Sequence, residues 1–219
     1  MIALGARLSA IYDAVGFCDC IADIGSDHAF LPIALLQTER VKRAIVCDIN
    51  QRPLNRGRKN AKKYGLDSIE FLISDGFKGL MDKSFDTAAI CGMGGALISD
   101  IIKKGGSKAH CKLILQPMTA YEQLRAFLWD SGFFIYDEIF AVESKKPYVV
   151  ICCRYIGEKV EYGYSDLFLG KVRPNTYEFS VFCKKIASQA KKGLKGAVIR
   201  GEPTECIERL IEECEILQL

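Results

Sequence analysis

Short apolar runs alternate with longer helical patterns from the start of the chain to Gly132, and this alternation constrains the fold more than any other feature. A helix over ARLSAIYDAV is followed by a strand over CIADIG and a helix over AFLPIALLQ. RAIVCDI then predicts a strand and RPLNRGRKNAKKYG a helix, with Pro53 near its start and Gly65 at its end. IEFLIS and FDTAAIC read as the third and fourth strands, GALISDIIKKGG as a helix, CKLILQ as a fifth strand and TAYEQLRAFLWDSG as a helix. Strands separated by helices must be joined by crossovers, so the sheet is mostly parallel and covered on both faces. FFIYDEIFAVES and PYVVICCRYI follow one another with only a turn at Lys145–Pro147 between them, so the last pair is antiparallel. The expected class is α/β, doubly wound, with a terminal hairpin.

After Ile156 the pattern changes. GEKVEYGYSD is polar and reads as a linker. Residues 171–200 carry eight lysines and arginines against one acid, Glu178, and residues 201–219 carry six glutamates against Arg209 alone. Each half has an apolar stripe at helical spacing, so a basic and an acidic helix are expected to pair as an antiparallel hairpin. Two domains are expected, 1–156 and 157–219, with Gly193, Gly196 and Gly201 interrupting the hairpin helices.

The ten cysteines sit largely inside strand-like runs such as AIVCDI and VVICCRY, and no Cys-x-x-Cys occurs. They read as reduced thiols used as small apolar residues in a cytoplasmic protein. With two histidines, His28 and His110, no metal site is expected. The N-terminus lacks the features of a signal peptide, and no stretch reads as a membrane span. A net charge of +3 names no partner by itself.

In an open α/β sheet the ligand lies beyond the carboxyl ends of the strands. The loops there are ADIGSDHAF, CDINQRP, ISDGF, CGMGGAL and LQPMT. Asp23 and Gly25 close the first strand, and glycine lets a ligand approach the backbone closely. Asp48 ends the second strand 25 residues later and suits the two hydroxyls of a ribose. Those two features fit a dinucleotide equally well. The missing glycines of G-x-G-x-x-G oppose it, as do Asp27 and His28 at a helix entry where a pyrophosphate wants bare amides. A nucleoside with a cationic sulfonium tolerates that carboxylate, and S-adenosylmethionine is such a ligand. Helix capping by Asp27 and His28 is the plainer alternative. Asp75 and Gly76, after the third strand, suit an adenine amino group and ring. Gly92, Gly94 and Gly95 expose backbone after the fourth, beside Met93 with its polarizable thioether.

DIGSDHAFLP, DIN, SDG, GMGG and QPM, in this order, together with the opening RLSAIYDAV, resemble the bacterial tRNA (adenine-22-N1)-methyltransferases of the TrmK type. The resemblance implies a class I, Rossmann-like methyltransferase fold: seven strands, the last antiparallel, plus the C-terminal hairpin. It implies a cytoplasmic enzyme that moves a methyl group from S-adenosyl-L-methionine to N1 of an adenine in tRNA. The cofactor residues carried over are Asp23, Gly25, Asp48, Asp75 and Gly92, with Ser26, Ile49, Ser74, Gly76, Met93 and Gly94 beside them. Asp27 and His28 are the candidate catalytic residues. Arg7, Met93, Gly95, Gln116, Pro117 and Met118 are the candidates for substrate binding.

N1 lies on the Watson–Crick edge, so the target adenine must be exposed before it reacts. Basic runs at Arg52–Lys63, at Lys103–Lys108 and on the C-terminal helix are expected to hold tRNA backbone. A monomer without metal is expected. A methyltransferase for a small molecule or a protein, and a silent RNA-binding module, are the competing readings.

Overall fold

The computed structural model describes residues 2–218. Eight α-helices, two short 3-10 helices (Lys78–Leu80 and Gly106–Ala109) and seven strands occur among them: α1 (Ala6–Val15), β1 (Cys18–Ile24), α2 (Phe30–Gln37), β2 (Val41–Asp48), α3 (Gln51–Lys63), β3 (Ile69–Ile73), β4 (Thr87–Gly94), α4 (Gly95–Gly105), β5 (Lys112–Thr119), α5 (Tyr121–Asp130), β6 (Phe133–Glu143), β7 (Lys146–Tyr155), α6 (Tyr164–Leu169), α7 (Tyr177–Arg200) and α8 (Glu205–Ile216). The strands form one sheet in the order β3-β2-β1-β4-β5-β7-β6. β1 to β5 pair in parallel, and β7 runs antiparallel to both β5 and β6. The order reverses between β1 and β4, where a doubly wound sheet opens its ligand crevice. This is the expected class I, Rossmann-like architecture.

The two-residue period of the strands assigns their side chains to two cores. Ile21, Ala89, Ile114 and Val150 meet α1 and α2 on one face, through Ile11, Val15, Leu31 and Leu35. Ala22, Ile24, Ala88, Ile90, Leu113 and Leu115 meet α4, α5 and α7 on the other. Continued one step beyond the apolar run, the same period puts Asp23, Cys91 and Gln116 on the α1 face. All ten cysteines are free thiols. Burial pushes several of them upward, Cys47 and Cys152 to about 12, so they serve as packing groups and not as nucleophiles.

Several expectations need correction. Asp27 and His28, for which capping of the helix was the plainer alternative, lie in the loop before α2 and do not cap it. The helix starts at Phe30, its N-cap is Ala29 in the left-handed region, and no side chain caps it. CGMG is the end of β4, not a loop after it. Register shifts on either side of Met93 show what the glycines permit, a doubly irregular strand. β5 likewise runs on through QPMT. The polar stretch read as a linker is packed down: the Val160 N–H donates to Trp129 O at 3.1 Å, and the Tyr162 ring stacks on Trp129 at 5.0 Å. It also yields the short helix α6. Gly193 and Gly196 do not break α7, which runs unbroken to Arg200 and stops at Gly201 in the left-handed region. α7 and α8 do form the expected antiparallel pair, but Phe179, Phe182, Cys183 and Ile186 of α7 belong to the same core as β4 and β5.

Candidate functional site

Two cavities meet at the turn after β1. Gly25 has φ +75, and its N–H and that of Ser26 donate to Cys47 O at the end of β2, at 2.8 and 3.3 Å. The turn therefore hugs β2 and leaves its outer side open. Met93 lies over it, and a Cβ at position 25 would collide with the Met93 methyl. Glycine is required here twice over, by conformation and by contact.

The first cavity, about 300 Å³, lies on the β2–β3 side. Asp48 enters it, and one of its carboxylate oxygens already accepts the Asn50 N–H at 2.7 Å, which fixes the side chain in a tight turn. Ile49, Ser74, Asp75, Gly76 and Met93 also line it. The Ser74 hydroxyl donates to Gly76 O at 2.7 Å and accepts from the Gly79 N–H at 2.8 Å, so this loop is held from within. Asp75 pairs with Lys78 at 2.6 Å, and that ammonium holds the carboxyl below its usual range. Gly76, at φ +60, faces Ile101.

The far wall comes from α4: Leu97, Asp100, Ile101 and Lys104, the last paired with Asp100 at 2.6 Å. Lys104 was expected only as one member of a basic surface run, and Leu97, Asp100, Ile101 and Asn50 were missed in the sequence. Leu97 stands out only in the structure, as a large apolar side chain that α4 leaves half exposed.

The second cavity, about 260 Å³, lies on the α1 face. Asp23, Ser26, Asp27, His28, Arg7 and Gly92 line it. Asp23 is almost fully buried, and burial pushes its carboxyl up to about 6 against the opposing hydrogen bond from Ser26. Asp27 receives the Arg56 guanidinium through Nε at 2.7 Å and through a second nitrogen, and the His28 ring nitrogen lies 3.4 Å away. His28 stacks on Phe30 with ring centres 5.0 Å apart. Arg56, read in the sequence as one member of a basic surface run, is thus drawn into the site.

Arg7 reaches from α1 across the strand ends. Its guanidinium donates to Gln116 Oε1 at 2.8 Å and lies 5.9 Å from the centre of the Tyr148 ring. Gln116 is completely buried and also donates to Pro117 O at 2.8 Å. It presents nothing to a ligand and acts by holding Arg7, a correction to its expected contact with substrate. Gly94 and Gly95 are corrected too: neither lines either cavity. Gly95 is buried where a Cβ would strike the backbone of Thr119 and Ala120, and Gly94 faces the Thr119 hydroxyl. Pro117 and Met118 face away from Arg7, into a third cavity beside α7. Among the described residues no group of three or more His, Cys, Asp or Glu is arranged to hold a metal ion, and no helix is long and apolar enough to cross a membrane.

Residues 4–151 match the family model of the methyltransferase domain. The tRNA (adenine(22)-N(1))-methyltransferase of Bacillus subtilis is 33% identical over 151 residues, 68% of this chain and 63% of that protein, so the match spans less than two thirds of the relative's length. Among solved structures, M. capricolum TrmK in complex with S-adenosyl-homocysteine superposes with TM-score 0.83 at 27% identity, covering 98% of this chain and 99% of that one. A putative tRNA (m1A22) methyltransferase of Streptococcus pneumoniae, in complex with S-adenosyl-L-methionine, gives 0.81 at 28% identity over the whole of both chains. With a doubly wound sheet, a crevice at the β1/β4 reversal and a family model matched over most of its length, the chain belongs to the methyltransferase-domain family.

Proposed function

We propose that the protein is an S-adenosyl-L-methionine-dependent methyltransferase acting on N1 of an adenine in tRNA, position 22 being the one named for its relatives. The observation that carries the reading is the pair of cavities joined at Gly25, one half apolar with Asp48 at its rim, the other lined by Asp23 and Asp27. A nucleoside fits the first half and a cationic amino acid the second. A pyrophosphate is disfavoured in both: Lys104 is paired with Asp100, and two carboxylates, the buried Asp23 and the Arg56-paired Asp27, line the second half.

S-adenosyl-L-methionine would be held by Asp48 at the ribose and by Ile49, Ser74, Asp75 and Gly76 around the adenine. Gly25 and Met93 would lie beneath its middle, with Asp23, Ser26 and Gly92 at the amino-acid end. When bound it supplies a methyl group on a positively charged sulfur. The adenine N1 lone pair is unprotonated at neutral pH, so no base is needed to start. The protein's task is alignment, which can be worth about 7–11 kcal/mol. Arg7, fixed by Gln116, and the His28–Phe30 stack border the open side of the second cavity and would orient the base. Methylation leaves the base cationic, and Asp27 is the carboxylate placed to stabilise that charge. Its engagement with Arg56 holds it in position.

The basic face of α7, with Lys184, Lys191, Lys192 and Lys195, would carry the tRNA backbone. The C-terminal segment 157–219 is, on this reading, the RNA-holding part of the molecule, and the cytoplasm is where its substrate would be met.

The test is calorimetry with S-adenosyl-L-methionine, S-adenosyl-homocysteine and NAD, then nucleoside analysis of tRNA incubated with protein and methyl donor. Binding of the first two ligands but not NAD, and 1-methyladenosine that disappears when adenine 22 is changed to guanine, are expected. Binding without any tRNA product would overturn the substrate, and binding of NAD alone would overturn the chemistry.

A further inference from the structure

The third cavity, about 640 Å³, is larger than either half of the proposed cofactor site, and apart from Lys184 at its edge none of its lining has a role in the proposed function. It opens between the end of β5, the β6–β7 turn and α7. Its walls are Pro117, Met118, Tyr148 and Val181, and its rim is Lys145, Lys146, Lys184 and Lys185, with no acid among the residues that line it. An apolar floor under four ammonium groups is the chemistry of a nucleotide, a flat base below and a phosphate above. The volume falls within the roughly 300–1,000 Å³ common for small-ligand pockets.

Three further observations bear on this cavity. Tyr148 stands between this cavity and the second: its ring lines this one, and the Arg7 guanidinium that lines the second is 5.9 Å from the same ring centre. The Arg7–Tyr148 contact therefore joins the lining of the second cavity to that of the third. The turn that brings Lys145 to the rim is strained. Ser144 and Lys145 have φ +50 and +65, a conformation that tight hairpins ordinarily fill with Asn-Gly. Lys185 is half buried, its Nζ 5.4 Å from the centre of the Tyr121 ring, and burial pushes its ammonium downward, a tension that a phosphate relieves. Beyond Lys184 the rim continues into the groove along α7 lined by Lys192, Lys195 and Lys191, the last paired with Glu215.

We infer that this cavity receives the nucleotide adjoining the target adenine, its base against Met118, Pro147 and Tyr148 and its phosphate among the four lysines. The inference rests on the tRNA methyltransferase reading. Displacing a neighbour as well as the target gives the strand two anchors on either side of Arg7, and so holds N1 still.

The experiment uses the full-length protein and a tRNA that it methylates. Val181→Trp fills the cavity without changing charge, and Lys145→Ala/Lys146→Ala removes two rim charges whose side chains are exposed. S-adenosyl-L-methionine affinity is measured by calorimetry and kcat/KM by methyl transfer. A second readout is the fluorescence of 2-aminopurine placed on either side of the target adenine. Both variants are expected to keep cofactor affinity and lose about 10- to 100-fold in kcat/KM, the size of one base-stacking contact. One of the two 2-aminopurine positions is expected to change emission on binding to the wild type and not to Val181→Trp.

If the wild type methylates no tRNA, the underlying reading is wrong. If it does, and both variants match it while neither probe responds, the nucleotide pocket is wrong. Should Val181→Trp fail to fold, the lysine pair and the probes on the wild type still decide.

Discussion

Asp23 is a carboxylate in a place that penalises its charge. Burial holds it at about 6, against an ordinary value of 3.8. The folded protein therefore binds this proton more tightly than the unfolded chain. Below about pH 4 the group is protonated in both states and contributes no difference. As pH rises from 4 to 6 folding must retain the proton or forgo it, and stability falls by about 3 kcal/mol, remaining lower above pH 6. A cationic ligand reverses the balance by favouring the ionised form. Two outcomes are expected. Urea titrations of the wild type show stability falling from pH 4 to 6, a decline missing in Asp23→Asn. Calorimetry shows S-adenosyl-L-methionine binding tightening as pH rises through 6 in the wild type but flat in the variant. Flat behaviour in both proteins would remove Asp23 from the amino-acid end of the site.

Residue types in the strand-end loops were readable because each has a chemical meaning by itself. Asp23, Gly25, Asp48 and Gly76 line the crevice that their positions implied. Gln116 and Gly95 were not readable, because their meaning depends on a neighbour. Gln116 looks like a ligand contact until Arg7, 109 positions away, is seen to take its oxygen. Gly95 looks like part of an exposed glycine turn until the backbone of Ala120 is found against it.

Among elements, the sheet followed from periodicity and the additions to it did not. Alternating runs identify strands whatever they touch, so seven strands and their class could be read directly. The ends of β4 and β5 carry glycine, methionine and threonine where a strand ordinarily shows branched apolar residues, and pairing between these two strands extends them anyway. α6, only six residues long, has no room for a helical period, and packing defines it. Its anchor is Arg125 on α5, which donates to the carbonyls of Leu167 and Phe168 at 2.8 and 3.0 Å while Nε and a terminal nitrogen bond Glu138 of β6 at 2.9 and 2.7 Å. Both side chains are fully buried. Gly170, which ends α6 at φ +77, is pressed against the same carboxylate.

Removing one member of such a pair leaves the other charge buried and alone, which costs about 3–5 kcal/mol. Glu138→Ala is therefore expected to lower unfolding free energy in urea by that amount, whereas Glu161→Ala, on the exposed stretch just before α6, is expected to change it by less than about 0.5 kcal/mol. A Glu138→Ala protein as stable as the wild type would mean that the pair does not pin α6 to the sheet.

For the whole molecule, the charge asymmetry of the C-terminal third has a structural explanation. α7 turns Phe179, Phe182 and Ile186 into the sheet's core and Lys191, Lys192 and Lys195 outward, so one helix belongs to the core of the sheet domain and to a basic surface together. α8 covers its other flank, with Lys191 paired to Glu215 at 2.7 Å, and Arg173 holds Asp166 and Glu213 at once. Cutting the chain near residue 160 would strip aromatic side chains from the core, so truncation would test stability before it tested RNA binding.

Surface charge can be changed without touching the core. Lys192 and Lys195 are exposed and point away from it. Each lysine that meets a phosphate contributes close to one unit to the slope of log affinity against log salt. Lys192→Ala/Lys195→Ala is expected to bind tRNA more weakly at low salt with a slope shallower by about 2, and to bind S-adenosyl-L-methionine as the wild type does. A slope unchanged within error would place the tRNA on another face and leave α8's acids balancing a helix that only the protein itself sees.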